Sequence, residues 1–321
     1  MNIISYSRIA CHKTDKEGGF MAYIIENASL IKNSGLEQTS FLIKDERFHS
    51  VRTSFKRFSY MRLNANAYIM TPSHILFCPE IPSNTTFQRR KKFFIDSFIN
   101  KGCTMFLTYA KVDKEYLLQS SLKEMKKQLL NSPVDYSIGI RIPLHLLTPS
   151  LIRKCKKLKI PAIFIDIDED AATLDTLPWG WIREAMFPYN SPLIPIFTAE
   201  KPRQQKIAQS NWTSILTKEK IPFIEKELST DEPISLVNLC KLGIYPKKVG
   251  IYQGGEVSYN FYVKDELGSS LNNRELFKEF QQQLLITVHK GIVIRAGSEI
   301  VFRPGFGEHV IIDTPSFFTI V

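Results

Sequence analysis

The chain has 321 residues, of which 44% are hydrophobic and 23% charged. This length and apolar content exclude a disordered or fibrous protein and suit one large α/β domain, or a medium domain with a small one. The formal net charge of +10 permits an anionic partner without requiring one. Basic residues form three clusters on predicted helices, at 89–92, 123–127 and 153–159, where solvated outer helix faces are the ordinary interpretation.

The five cysteines are scattered, without a CxxC pair or a regular spacing. This pattern favours a reducing compartment and disfavours a structural zinc site, so we expect a cytoplasmic protein. No apolar run reaches the roughly 18 residues of a membrane helix, and we therefore expect no membrane span. Residues 1–21 are expected to be an N-terminal extension, with Met21 as an alternative start.

Short apolar segments separated by polar turns predict a small antiparallel sheet from 22–31, 40–51 and 66–70. From His74 strands alternate with helices. The predicted strands are HILFC, CTMFLTYAKV, DYSIGIRIP, PAIFIDIDED, LIPIFTAE and IPFIEKEL.

Gly102 is the predicted stop of the first helix between these strands. Thr148 is the predicted N-cap of another helix, with Pro149 at its first position. Six alternations indicate parallel strands with right-handed crossovers, in a (β/α) barrel or a doubly wound sheet.

After Gly243 the β character returns in three predicted β segments, which are GGEVSYNFYVKD, LLITVHKGIVIRAG and EHVIID. This order of a β segment, a barrel-like middle and a β segment resembles the amidohydrolase superfamily, especially its dihydroorotase and hydantoinase-like branch. The stretches that carry the resemblance are YIIENASLI with FLIKDERFHSV, NAYIMTPSHILF, GIYPKKVGIYQGGEVSYNFYVKD and TVHKGIVIRAG.

The resemblance implies an α/β fold in which residues 73–249 form a (β/α) barrel-like domain. Residues 22–72 and 250–321 would together form a small composite β-sandwich. An eight-unit barrel needs about 250 residues, whereas the middle segment has room for about six units. We therefore expect a shortened or incomplete barrel.

The family's first barrel strand ends in a His-x-His pair that binds divalent metal, whereas here His74 alone is present and precedes the apolar run. The later ligand positions offer Asp166 and Asp168 after the fourth strand and Glu200 after the fifth. The resemblance therefore implies a degenerate member without the metal-binding histidines, and we expect no cofactor.

The segment IDIDED, 165–170, places carboxylates where α/β enzymes carry their chemistry. Asp166 and Asp168 share a strand face and could hold a divalent metal or act as acid and base. Capping of the next helix by Asp168 or Asp170 is the structural alternative. His145, in the loop after the preceding strand, is the third candidate catalytic residue.

The segment PWGWIREAMFP supplies a candidate ligand pocket. Trp179 and Trp181 could form its wall, with Arg183 holding an anion. Packing on the open side of a shortened barrel is the alternative for the two tryptophans. His74 and Glu200 complete the predicted ligand-binding set.

Three functional hypotheses follow. The first is an amidohydrolase-like protein that has lost metal-dependent hydrolysis and binds a small molecule or a protein partner, with homo-oligomerisation left open. The second is an active metal-dependent hydrolase of a cyclic amide or similar C–N bond, with a divalent metal held by Asp166, Asp168 and Glu200. The third, binding of nucleic acid or an anionic membrane through the basic helices, rests on charge alone, and nucleic acid is the less expected partner.

Overall fold

The computed structural model describes residues 22–32, 35–83, 85–167, 172–198, 201–264 and 273–317. The chain divides into two compact units. The first unit comprises the chain up to Leu76, Asn84–Met105 and Pro246–Pro304, and the second comprises Phe77–Ser83, Phe106–Tyr245 and the chain from Gly305. The domain boundaries expected above, 1–21, 22–72 with 250–321, and 73–249, stay a prediction.

The strands of the described residues belong to two sheets. They are β1 (Tyr23–Lys32), β2 (Gly35–Lys44), β3 (Arg47–Arg52), β4 (Met61–Asn64), β5 (Tyr68–Pro72), β6 (His74–Phe77), β7 (Cys103–Lys111), β8 (Asp135–Pro143), β9 (Ile163–Ile167), β10 (Leu193–Phe197), β11 (Tyr259–Val263), β12 (Leu284–His289), β13 (Ile292–Ala296) and β14 (Glu299–Ile300).

The helices follow the predicted alternation. They are α1 (Phe87–Ser97), α2 (Leu118–Gln128), α3 (Pro149–Lys157), α4 (Ala172–Asp175), α5 (Trp179–Met186), α6 (Pro202–Lys218), α7 (Leu236–Lys241) and α8 (Asn273–Glu279). Within the described ranges, no helix combines the length and the apolarity needed to cross a membrane.

The sheet of the first unit has the strand order β14-β13-β12-β11-β5-β1-β2-β3, with β4 beside β1. Both terminal segments of the chain contribute to it, because β5 pairs antiparallel with β11. The sequence predicted a small antiparallel sheet from the first segment; the composite β-sandwich stays a prediction. The sheet is instead mixed, since β1 runs parallel to β4 and β5, and its apolar core includes Phe41, Phe48 and Phe261.

The predicted single strand at 40–51 is wrong. Its residues belong to β2 and β3, an antiparallel hairpin. The turn between them contains Asp45 and Glu46, whose φ angles are 53° and 57°. Two consecutive left-handed residues match the twist of hairpin strands, and acidic side chains gave no glycine signal from which to predict the turn.

The second sheet has the order β10-β9-β8-β7-β6 and forms a curled parallel half-barrel. Its strands are neighbours in chain order, as right-handed crossovers predict. In β9 the sequence IFIDI is buried apart from the half-exposed Asp166, as expected for a parallel strand covered on both faces. The predicted sixth strand is reduced, in the described residues, to an isolated bridge between Phe223 and Leu193.

The predicted helix boundaries are confirmed at two places. Gly102, with φ 70°, ends the turn that follows α1, and its left-handed conformation suits glycine. Thr148 caps α3 by accepting the Leu151 N–H, with Pro149 at the first helical position.

The segment 308–313 was predicted as a strand of the C-terminal β segment. In the structure it belongs to the second unit, where His309 forms an isolated parallel bridge with Tyr136. The Tyr136 N–H donates to Glu308 O, and the Tyr189 hydroxyl donates to Ile312 O. The segment is therefore fixed beside the start of β8 by backbone and hydroxyl hydrogen bonds.

Candidate functional site

Three polar side chains meet across neighbouring strands of the half-barrel, near the carboxyl ends of these strands. Arg141 on β8 donates from Nε to Asp166 Oδ1 on β9 at 2.7 Å and from Nη1 to the Tyr109 hydroxyl on β7 at 2.9 Å. The Arg141 and Asp166 side chains are 23% and 27% exposed. The pair is thus partly shielded from water but still reachable by a ligand.

The local sequence explains why these side chains face one another. Side chains alternate across a strand, so Phe164 and Asp166 project from the same face of β9, as do Gly139 and Arg141 of β8. The register places Arg141 opposite Phe164.

Arg141 remains charged in this setting. Burial lowers its pKa, but the hydrogen bonds to Tyr109 and Asp166 together outweigh that effect and raise the pKa above its ordinary value. The guanidinium carbon also lies 5.6 Å from the centroid of the Tyr109 ring, a cation–π distance.

Aromatic rings lie beneath the polar group. Phe77 stacks on Phe164 with ring centroids 5.1 Å apart, and Tyr109 lies 5.0 Å from Phe164 and 6.0 Å from Phe77. All three side chains are buried. A Cβ at Gly139 would approach Phe164 Cε2 to 3.0 Å and Ala162 O to 2.7 Å, so glycine leaves the room that the ring occupies.

Comparison with solved structures identifies the architecture. Dihydropyrimidinase from Brevibacillus agri matches with TM-score 0.57 and 11% identity, covering 92% of this chain and 99% of that one. A D-hydantoinase matches with TM-score 0.58 and 13% identity, covering 92% and 100%. A D-hydantoinase from Thermus sp. matches with TM-score 0.56 and 11% identity, covering 92% and 100%.

The fold is that of the hydantoinases. These enzymes belong to the amidohydrolase superfamily, and the resemblance drawn from the sequence is confirmed at the level of the fold. Identities of 11–13% show the fold alone. No protein family model matches the sequence, and no curated protein matches it.

The strand ends of this hydantoinase fold offer few metal ligands among the described residues. On the facing positions of β6 to β9 lie Phe77, Tyr109, Arg141 and Asp166. The one carboxylate in this set is held by a guanidinium, and imidazole, the usual ligand of such metals, is absent from it. This donor set does not fit a divalent metal.

His74 is the first residue of β6, at the opposite end of the strand from Phe77. It is 4% exposed, its Nε2 lies 2.7 Å from the Tyr262 hydroxyl, and its ring packs 5.2 Å from that of Phe277. Burial lowers its pKa to about 4. These contacts indicate a packed, neutral core histidine.

His145 lies in the short helical turn Leu144–Leu146, directly after β8, and its side chain is exposed. This turn contacts β9. The structure therefore brings His145 and Asp166 to the same end of the sheet.

Asp168 and Glu200, with the alternative cap Asp170, lie outside the described residues, so their predicted roles stay predictions.

The two tryptophans of the predicted pocket differ in environment. Trp179 is 6% exposed and its indole N–H donates to Leu174 O at 2.8 Å, whereas Trp181 is 63% exposed. The Arg183 guanidinium donates from Nη1 to Glu219 O. Trp179 matches the packing alternative. Trp181 lies on the solvent face of α5, and the two rings do not share one wall.

Tyr109, Arg141, Phe77 and Phe164 were not predicted as site residues from the sequence. For Phe77, Tyr109 and Arg141 the signal was an aromatic or charged residue near the end of each of three consecutive predicted strands. Aligning these strands by their carboxyl ends would have placed the three side chains together, whereas Phe164 lies near the start of its strand and gave no such signal.

Proposed function

We propose that this protein is a binding protein on a hydantoinase fold, which recognises a small molecule or a protein partner at the carboxyl ends of its parallel strands and does not hydrolyse it. The observation that carries the proposal is the Arg141–Asp166 pair. The strand-end carboxylate that a rebuilt hydrolase site would need is already engaged by a cation of the same sheet.

The cost of freeing Asp166 supports this proposal. A metal ion at its carboxylate would displace the Arg141 Nε–H, leaving a partly buried guanidinium without its counter-charge. Losing such a charged hydrogen bond costs about 1–3 kcal/mol. The buried rings of Phe77, Tyr109 and Phe164 further occupy the space below the pair.

Arg141 also retains binding capacity. A guanidinium has five N–H groups, and two of them donate to Asp166 and Tyr109. The remaining groups have no acceptor among the described residues. They are held in a fixed orientation by the two bonds already made, which lowers the entropy cost of binding an oxygen of a ligand.

Two measurements test the proposal. Ring opening of hydantoin and dihydrouracil should be undetectable with added Zn²⁺ or Mn²⁺. Ligand-observed NMR of a small-molecule collection should give binders whose signal is lost in Arg141→Gln and kept in Arg153→Gln, a change at an exposed arginine of the same unit.

Metal-dependent ring opening that disappears in Asp166→Asn would instead establish the carboxylate hydrolase hypothesis and refute the binding proposal. Ligands that bind Arg141→Gln as well as they bind the wild type would show that recognition takes place elsewhere on the protein.

A further inference from the structure

The three basic clusters of the sequence differ in whether their side chains form ion pairs. In α2, Lys127 pairs with Glu124 at 3.9 Å; in α3, Lys154 pairs with Glu115 at 2.7 Å. In α1, neither Arg89, Lys91 nor Lys92 has an acidic partner within 4 Å among the described residues. Each of the other two helices thus has an ion pair that these three side chains of α1 lack.

The position of these cations on α1 is unfavourable for the helix itself. Thr86 caps the helix, and its first turn has no acidic residue. The run from Arg89 to Lys92 follows at once, so positive side chains gather near the positive end of the helix dipole. A sequence that departs from a local rule in this way is expected at a functional surface.

An exposed ring borders the cations. Phe87 is 51% exposed, and its ring meets that of Phe302 edge-on, with centroids 6.2 Å apart. Lys91 Nζ lies 5.7 Å from the centroid of Phe302. Phe94 and Phe98, farther along, are buried. The exposed ring of Phe87 therefore lies against the half-buried ring of Phe302, with a cation directly beside the latter.

We propose that this α1 surface, defined as Phe87, Arg89, Lys91, Lys92 and Phe302, binds single-stranded nucleic acid. Cations beside an exposed ring suit a chain in which phosphates alternate with bases, because the phosphates attract the cations and an unpaired base stacks on the ring. Paired bases are stacked on each other and cannot cover Phe87. The inference is independent of the strand-end site, and it reverses the expectation that nucleic acid is a less favoured partner.

An anionic membrane fits these observations less well. Membrane-surface helices insert a broad apolar face, whereas the large apolar residues that this region exposes are Phe87 and, next to Phe302, Val301 at 44%. The remaining exposed positions near the start of α1 are polar or basic, as Gln88, Arg89 and Lys92 show.

The experiment uses the full chain and a fluorescein-labelled oligothymidylate of about 15 nucleotides, long enough for one site of this kind. Anisotropy titrations are made between about 50 and 200 mM salt. Phe87→Ala should weaken binding by roughly 5- to 150-fold. Lys91→Gln with Lys92→Gln should weaken it and reduce the slope of log affinity against log salt by about 1–2.

A charge-matched control is Arg153→Gln with Lys157→Gln, which removes two exposed cations from α3. It should leave affinity within about twofold, because those cations lie outside the α1 surface. A melting curve of each variant is the second control, and it should show that the variant is folded at the temperature of the titration.

Absence of oligonucleotide binding at about 50 mM salt refutes the proposal. So does an equal loss in the α3 control, which would indicate a general charge effect. Binding to phosphatidylserine vesicles that depends on Phe87, without oligonucleotide binding, would assign the surface to a membrane instead.

Discussion

The Nε of Arg141 and the Oδ1 of Asp166, 2.7 Å apart, connect two adjacent parallel strands near their carboxyl ends. In open or closed α/β sheets this end is where ligands bind. The pair therefore lies where a ligand is expected to bind, and its two charges interact with each other. The free energy of this interaction determines whether Asp166 is available for other chemistry.

A double-mutant cycle measures the interaction free energy of the Arg141–Asp166 pair. Arg141→Gln, Asp166→Asn and the double variant are unfolded with urea, and we expect a coupling free energy of about 0.5–3 kcal/mol. The reason is that both side chains are less than a third exposed, so that solvent screens the pair incompletely.

The exposed pair Lys127 and Glu124 is the matched control for this cycle. Its side chains are each 61% exposed and its charged atoms 3.9 Å apart. Its coupling should stay below about 0.5 kcal/mol. Equal coupling in the two pairs would show that the strand-end pair contributes no more than a surface contact, and that Asp166 is easily freed.

Gly139→Ala tests the packing beneath the pair. A methyl group 3.0 Å from Phe164 Cε2 and 2.7 Å from Ala162 O overpacks the sheet, and we expect a loss of about 1–3 kcal/mol in urea unfolding. Gly180→Ala in α5 is the control, since its new Cβ would meet nothing within 4 Å. That helical change should stabilise the protein by about 0.5–1 kcal/mol. A neutral Gly139→Ala would mean that the ring cluster is loosely packed.

Much of the fold followed from local patterns. Thr148 with Pro149, and Gly102, gave helix ends because capping acts within a few residues. The hairpin at Asp45 and Glu46 did not follow, because both residues have left-handed φ angles without the glycine that usually signals such a turn. The position of 308–313 depends on hydrogen bonds to residues far away in sequence, such as Tyr136, which no local pattern encodes.

The site was predicted only in part. Asp166 was identified because strand ends carry chemistry in α/β proteins, but its partner was not. The choice of Arg141 depends on the register between β8 and β9, which sets which side chains meet. The aromatic rings were missed for a similar reason, since Phe77, Tyr109 and Phe164 are distant in sequence and only the curled sheet stacks them.

The two tryptophans of α5 should respond differently to removal. Trp179→Ala should cost about 3–5 kcal/mol of unfolding free energy, since it empties a buried site and removes the donor to Leu174 O. Trp181→Ala should change it by less than about 0.5 kcal/mol, because its ring is 63% exposed. Urea unfolding of both variants checks this. Similar large losses would mean that Trp181 is covered in solution.

The buried imidazole of His74 predicts a pH dependence of stability. Burial lowers its pKa from 6.5 to about 4 in the folded protein. Above pH 6.5 the ring is neutral in both states and has no effect. Between these two values the unfolded chain binds a proton that the folded protein does not, so stability falls as pH falls. The slope is about 1.4 kcal/mol per pH unit, which amounts to about 3 kcal/mol by pH 4.

His74→Gln removes this titration, and the difference between its stability and that of the wild type isolates the His74 contribution. Urea unfolding at pH 8, 6, 5 and 4 should show a variant that is less stable at pH 8, having lost the ring packing against Phe277, with the gap closing by about 3 kcal/mol toward pH 4. His309, whose pKa burial and the nearby Lys126 also lower to about 4, contributes equally to both proteins and cancels. A constant gap between His74→Gln and the wild type would show that His74 is protonated in the folded protein as readily as in the unfolded chain.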